Sequence, residues 1–150
     1  MSAHKATIEW RRETDSFQYA DYNRDHVWRF DTTTIAASSA PGFLGDATRV
    51  DPEEAFVASL SACHMLTFLA VASKKGFVVD SYLDDATGVL AKNEAEKLVI
   101  THVTLRPTVS FGGDKLPDAS DVDRIHELAH RECFIANSVK TEISIEQQAS

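Results

Sequence analysis

From Ala55 to Ser73 no side chain is formally charged, and this apolar run dominates the hydrophobic pattern of the chain. Its flanks carry helix punctuation. Asp51 suits the N-cap, Pro52 the first helical position, and Glu54 the reciprocal position of a capping box. Glu53 and Glu54 complement the positive start of such a helix, Lys74 and Lys75 its negative end, and Gly76 suits the left-handed residue beyond it. The pattern predicts a helix over 52–75, about 36 Å long at 1.5 Å per residue. Its middle is apolar on nearly every side. One sheet and one further helix would struggle to wrap it, which points to a partner subunit. The run is nearly long enough for a membrane span. Ser59, Ser61, His64 and Thr67 interrupt it and it stands alone, so a buried helix is the expectation.

Shorter patterns surround this helix. Ala6–Trp10 reads as a strand, Thr14–Asp25 as polar turn, and His26–Phe30 as a second strand that 32–36 continues or pairs with. The following loop contains the breakers Pro41, Gly42 and Gly45. It also carries Phe43 and Leu44, which either plug the core edge or form a substrate wall. Phe77–Leu90 and Leu98–Phe111 read as two strands of a hairpin around the polar Lys92–Lys97 turn. Val103, Leu105, Val109 and Phe111 fall on one face of the second. Asp118 or Ser120 caps a second helix reaching about Phe134. Val139, Thr141, Ile143 and Ile145 alternate with polar residues as a half-buried closing strand. The order β-β-β-α-β-β-α-β, with two separated helices, predicts an α+β fold in a single domain over residues 1–150.

Composition narrows the functional classes. With 43% hydrophobic and 25% charged residues the chain has an ordinary soluble balance. A net charge of -8 argues against a broad nucleic-acid surface. Met1–Trp10 lacks a basic start followed by an apolar run, so no signal peptide is expected and a cytoplasmic, reducing compartment is. A permanent disulfide is disfavoured there.

That expectation bears on Cys63 and Cys133, the two cysteines of the chain. Such a pair is a structural disulfide, two inert core residues, two metal ligands or a redox couple. On a helix, Phe56, Ser59, Leu60, Thr67 and Ala70 lie within about 60° of Cys63. Burial among such neighbours leaves a thiol inert, so a reactive Cys63 requires a cation from elsewhere in the fold. Cys133 shares an apolar stripe with Val122, Ile125 and Ala129 and faces inward. The thiols meet if the two helices pack. His64 points about 100° away from Cys63 and suits packing or hydrogen bonding. A rival motif is His126-Glu127-Leu128-Ala129-His130, which matches H-E-x-x-H on a helix and reads as a zinc-dependent hydrolase with Cys133 as an additional sulfur ligand. Ile125 and Ala129 occupy the apolar face, however, which leaves the two histidines on its margin as partly exposed surface residues.

Val50-Asp-Pro-Glu-Glu-Ala-Phe-Val-Ala-Ser-Leu-Ser-Ala-Cys63 closely resembles the first cysteine motif of the OsmC/Ohr family, the osmotically inducible and organic-hydroperoxide-resistance proteins. In that motif a Pro-Glu pair opens the central helix and the cysteine follows ten residues after the glutamate. Ala129-His-Arg-Glu-Cys-Phe-Ile-Ala-Asn137 resembles the second. The element order matches as well. The resemblance implies an OsmC-like fold, an intertwined homodimer with two active sites at its interface, and a cofactor-free thiol peroxidase acting on organic hydroperoxides. It implies Cys63 as the peroxidatic thiolate, Cys133 as the resolving thiol, and an external dithiol of lipoyl type, or a small thiol, as reductant. It further implies an arginine near the second strand to support the thiolate, for which Arg24 is chosen over Arg12 and Arg29, with Glu53 to orient it. Phe43, Leu44, Phe56 and Leu60 are the apolar residues expected to receive the substrate. Ten helical residues put Glu53 about 15 Å of rise from Cys63. Glu53 is therefore expected to serve the partner's site, unless the first turn is detached. His64 departs from the aromatic or apolar residue the motif leads one to expect. The alternative is an OsmC-fold protein that binds a small apolar ligand at the same interface without peroxidase activity.

Overall fold

The computed structural model describes residues 1–150. The chain divides into two compact units, Met1–Ala55 and Phe56–Ser150.

In the first unit, three short strands form an antiparallel sheet in chain order: β1 (Thr7–Glu9), β2 (His26–Phe30) and β3 (Thr33–Ala37). The β1–β2 excursion is closed by Asn23, whose side chain accepts from the Glu13 N–H and donates to the Arg11 carbonyl. Trp10, Phe17 and Tyr22 cluster beside it. After β3 the chain makes a 3-10 turn at Pro41–Phe43, and Leu44 follows in the left-handed region at φ 65°. It then returns alongside β3 through the Ala37–Val50 bridge.

Helix α1 (Pro52–Lys74) begins as its flanks predict. The Asp51 side chain accepts from the Glu54 N–H at 2.8 Å, and Glu54 reaches back to the Asp51 N–H at 3.2 Å. At its end the N–H of Phe77 bonds the Ala72 carbonyl across Gly76, which takes φ 79° as a helix terminator must.

In the second unit, the region beyond α1 corrects the two-strand reading. Each expected long strand is broken once, giving β4 (Val78–Asp84), β5 (Thr87–Lys92), β6 (Leu98–Leu105) and β7 (Pro107–Gly112). The pairings Asp84–Pro107 and Thr87–Thr104 stay in step across the gap, so this is one long hairpin with a kink. Pro107 has no N–H to extend the ladder and starts its strand, where proline is tolerated. Asp84 closes the kink by accepting from the Arg106 N–H at 2.6 Å and from the Ser61 hydroxyl. The turn at the far end is an Asx turn: Asn93 Oδ1 accepts from the N–H groups of Ala95 and Lys97. Helix α2 (Ala119–Glu132) has Asp118 as its N-cap and a reciprocal bond to Asp121. The last strand, β8 (Glu142–Ile145), runs parallel to β6, and Ile143 and Ile145 turn inward.

The core has two parts, one at each end of α1. Leu60 packs with Val103 and Leu105; Phe68 and Ala72 pack with Phe77, Ile125 and Ala129. Val109 and Phe111, on the predicted face with Val103 and Leu105, serve the second cluster because the hairpin reaches both parts of the core.

Candidate functional site

Cys63 lies in the middle of α1, half-buried; Cys133 is the residue that caps the C-terminus of α2 and is fully buried. Both are free, and they lie near enough for Cys63 to shift the Cys133 thiol. The inward phases read from the sequence therefore converge. Burial, then the neighbouring Cys63, pushes the Cys133 thiol up to about 11. The Cys133 sulfur in turn accepts from the Ala136 N–H at 3.4 Å, from the 3-10 turn Ala136–Ser138 that follows α2. No cationic side chain is among the groups that shift Cys133.

A second rung joins the same two helices. His64 Nε2 and His126 Nδ1 are 3.0 Å apart, with ring planes 6° from parallel. Both imidazoles are buried, at 1% and 3% exposure. This corrects the placement of His126 on the margin of α2: the buried face is wide enough to take in Ile125, His126 and Ala129 together. Glu127 and His130 are exposed, and no three His, Cys, Asp or Glu side chains gather as a metal-binding group. Desolvation lowers both histidines to about 4. On His64 the neighbouring His126 and His130 act in the same direction. On His126, Asp123 and Asp84 oppose the shift and do not overcome it. The pair is neutral at pH 7, one ring donating and one accepting, and leaves His64 Nδ1 and His126 Nε2 without partners.

Cys63 and His64 are adjacent on α1, about 100° apart around it, whereas His126 and Cys133 are separated by about two turns of α2. Adjacent residues of one helix can meet residues two turns apart on another only if α2 lies across α1 instead of along it.

The other expected residues fall as follows. Leu60 is a core residue and Phe56 packs against its cluster, lining a cavity of about 400 Å³ with Val99, Ile100, Thr101 and Lys140. Phe43 and Leu44 belong to the first unit and are exposed, so they do not plug a core edge. The Arg24 guanidinium, also in the first unit, donates to the carbonyls of Tyr19 and Tyr22 and stacks 3.6 Å from the Tyr22 ring centroid. Together with Ile8, Trp10, Phe17, Tyr22 and His26 it lines an apolar cavity of about 410 Å³. Arg12 bonds the Thr14 and Asp15 carbonyls, and Arg29 pairs with Glu9. Glu53 stands in the first turn of α1, which is unbroken to Lys74, so that turn is not detached. Sequence reasoning missed Asp84, Ser61 and the Ala136 N–H. None has a motif, because each acts through a contact distant in sequence or through the backbone.

Two neighbouring free thiols, carried by α1 and the end of α2 in an α+β unit with this element order, can be compared with known proteins. The family model described as OsmC-like protein matches residues 45–148. The chain belongs to the OsmC-like family. The solved structure of an OsmC-like protein of unknown function from Vibrio cholerae is similar over 99% of this chain and 100% of its own, with 45% identity and a TM-score of 0.95. Two more distant structures share the fold. An organic hydroperoxide resistance protein OsmC from Legionella pneumophila is 12% identical, with a TM-score of 0.73 over 100% of this chain and 98% of its own. The organic hydroperoxide resistance protein OhrB of Bacillus subtilis is 17% identical, with a TM-score of 0.68 over 99% and 98%. No curated protein matches the chain in sequence.

Proposed function

We propose that this OsmC-like protein is a thiol-dependent peroxidase that reduces organic hydroperoxides. One observation carries the reading: two free thiols from different helices are neighbours, Cys63 half-buried and Cys133 buried. That is the arrangement of a peroxidatic and a resolving thiol. The Cys63 thiolate attacks one peroxide oxygen; the O–O bond breaks, an S–O bond forms, and the sulfur gives up two electrons. The departing alkoxide takes a proton and leaves as an alcohol. The Cys133 sulfur then attacks the sulfenic acid; an S–S bond forms, the S–O bond breaks, and hydroxide leaves with the Cys133 proton as water. An external dithiol of lipoyl type, or a small thiol, restores both thiols by exchange, and no cofactor is required. A cytoplasmic, reducing setting keeps the resting pair reduced.

The thiolate needs a cation. We assign Arg24, with Glu53 to orient it, in a homodimer where Glu53 serves the site of the second copy. Phe43, Leu44, Phe56 and Leu60 are assigned to the apolar surface that receives the substrate.

Reduced protein treated with one equivalent of cumene hydroperoxide is expected to lose both thiols, with hydrogen peroxide less effective and Cys63→Ser inert. No thiol loss with either oxidant ends the peroxidase reading. The apolar cavity around Trp10 and Tyr22 favours a second reading, a protein that binds a small apolar ligand without redox chemistry. In that case thiols survive peroxide while Trp10 fluorescence responds to an added fatty acid.

A further inference from the structure

The core between α1 and α2 is built from Phe68, Ala72, Ile125 and Ala129, whose apolar contacts are non-directional and tolerate sliding. The side-chain hydrogen bond between these helices is His64 Nε2 to His126 Nδ1. It sits beside the thiols on both helices: His64 follows Cys63, and His126 lies on the same face as Cys133, about two turns before it. The bond leaves two buried nitrogens unpartnered, a cost that two apolar residues of similar volume would avoid. A directional contact kept at that cost is suited to setting position more than stability.

We propose that His64 and His126 form a positioning latch that fixes where α2 crosses α1, and thereby holds the Cys133 sulfur at attacking distance from Cys63. The inference rests on the peroxidase reading for its biological use, but closure of the Cys63–Cys133 disulfide is measurable without it. In the peroxide cycle the latch acts on the second step alone. Attack of Cys63 on peroxide needs no particular position of Cys133. Disulfide formation does, because displacement by an ångström costs orders of magnitude in an intramolecular reaction.

Two substitutions break the bond from either side, His64→Phe and His126→Leu, and His126→Asn tests rescue, since its amide nitrogen occupies nearly the position of Nδ1. Each variant is oxidised with cumene hydroperoxide. Sulfenic acid is trapped with dimedone, and disulfide formation is followed by the loss of the second thiol. Expected is sulfenic acid formation within about twofold of the parent and closure slowed about tenfold or more in both breaking variants. His126→Asn should close near the parental rate, and the double variant should be no slower than either single one. Closure at the parental rate in His64→Phe and His126→Leu overturns the latch. So does equal slowing of both steps in every variant, Asn included, which marks a general loss of structure. A parallel arm uses diamide, which drives closure without a peroxide. If peroxide leaves the parent untouched while diamide closure still depends on the histidines, the peroxidase reading fails and the latch stands. If peroxide oxidises the parent but neither arm depends on the histidines, the reverse holds.

Discussion

Two neutral imidazoles sealed in a core make a definite statement about pH. An unfolded histidine titrates near 6.5, whereas His64 and His126 are held near 4. Between those values the unfolded chain binds protons that the folded chain refuses, so stability is greatest above 6.5 and is lost as pH falls toward 4. Each histidine contributes roughly 3 kcal/mol to this loss at its full extent, and the two are not additive because they share a bond. Urea unfolding at pH 7 and pH 5 should show a lower midpoint at pH 5, and His64→Phe should flatten that dependence. An unchanged slope in the variant would mean that other groups govern the acid limb. At this scale the sequence was half legible. The inward phase of both cysteines, and a packing or hydrogen-bonding role for His64, followed from helical phase. That His126 is its partner did not, since the partner lies 62 residues away on another helix. The H-E-x-x-H spacing, moreover, drew His126 and His130 together on paper where the fold buries one and exposes the other.

Helix α1 passes close over β5. A Cβ on Gly88 would lie 2.6 Å from the Val57 methyl on the helix, closer than any real contact. Gly88→Ala should therefore destabilise by about 1–3 kcal/mol, as overpacking does. Val57→Ala added to it should recover part of the loss, since the clash is with that side chain. Thermal unfolding of the single and double variants tests this; additive losses would refute the close approach. The helix start at Pro52, the N-cap at Asp118 and the Lys92–Lys97 turn were all legible, because each is written in local chemistry: an aspartate whose oxygen accepts the third N–H, a proline without one, an asparagine folding back on its own turn. The kink at Asp84 and Arg106 was not. Alternation continues through it, and what interrupts the ladder is a carboxylate that accepts from a backbone N–H 22 residues away. The parallel pairing of β8 with β6 is likewise a matter of topology that period-two patterning leaves open.

At the scale of the whole molecule the unresolved demand is that of α1. One stripe, Leu60, His64, Phe68 and Ala72, is buried. The opposite stripe, Ala58, Ala62, Leu66 and Ala70, is exposed, with Leu66 at 63%. By length and composition the helix would also span a bilayer. Yet a helix that already commits one stripe to two core clusters is the spine of a folded unit, and its bare stripe is short, small-sided and suited to close approach of a second protein surface. In the homodimer we propose, a second copy of the chain would supply that surface by symmetry, because the stripe can pack on itself about a two-fold axis. It also bears on the chemistry, since Cys133 is shifted by burial and by Cys63 with no cation to offset them. Leu66→Glu places a carboxylate in the middle of such an interface, where burying it unpaired costs several kcal/mol. Light scattering should give twice 16.5 kDa for the parent and 16.5 kDa for Leu66→Glu. Peroxide-dependent thiol loss should slow in the same variant, if the partner completes the site. A parent that runs as a monomer at micromolar concentration would refute the dimer. A monomeric Leu66→Glu with parental thiol reactivity would keep the dimer but return the whole redox site to a single chain.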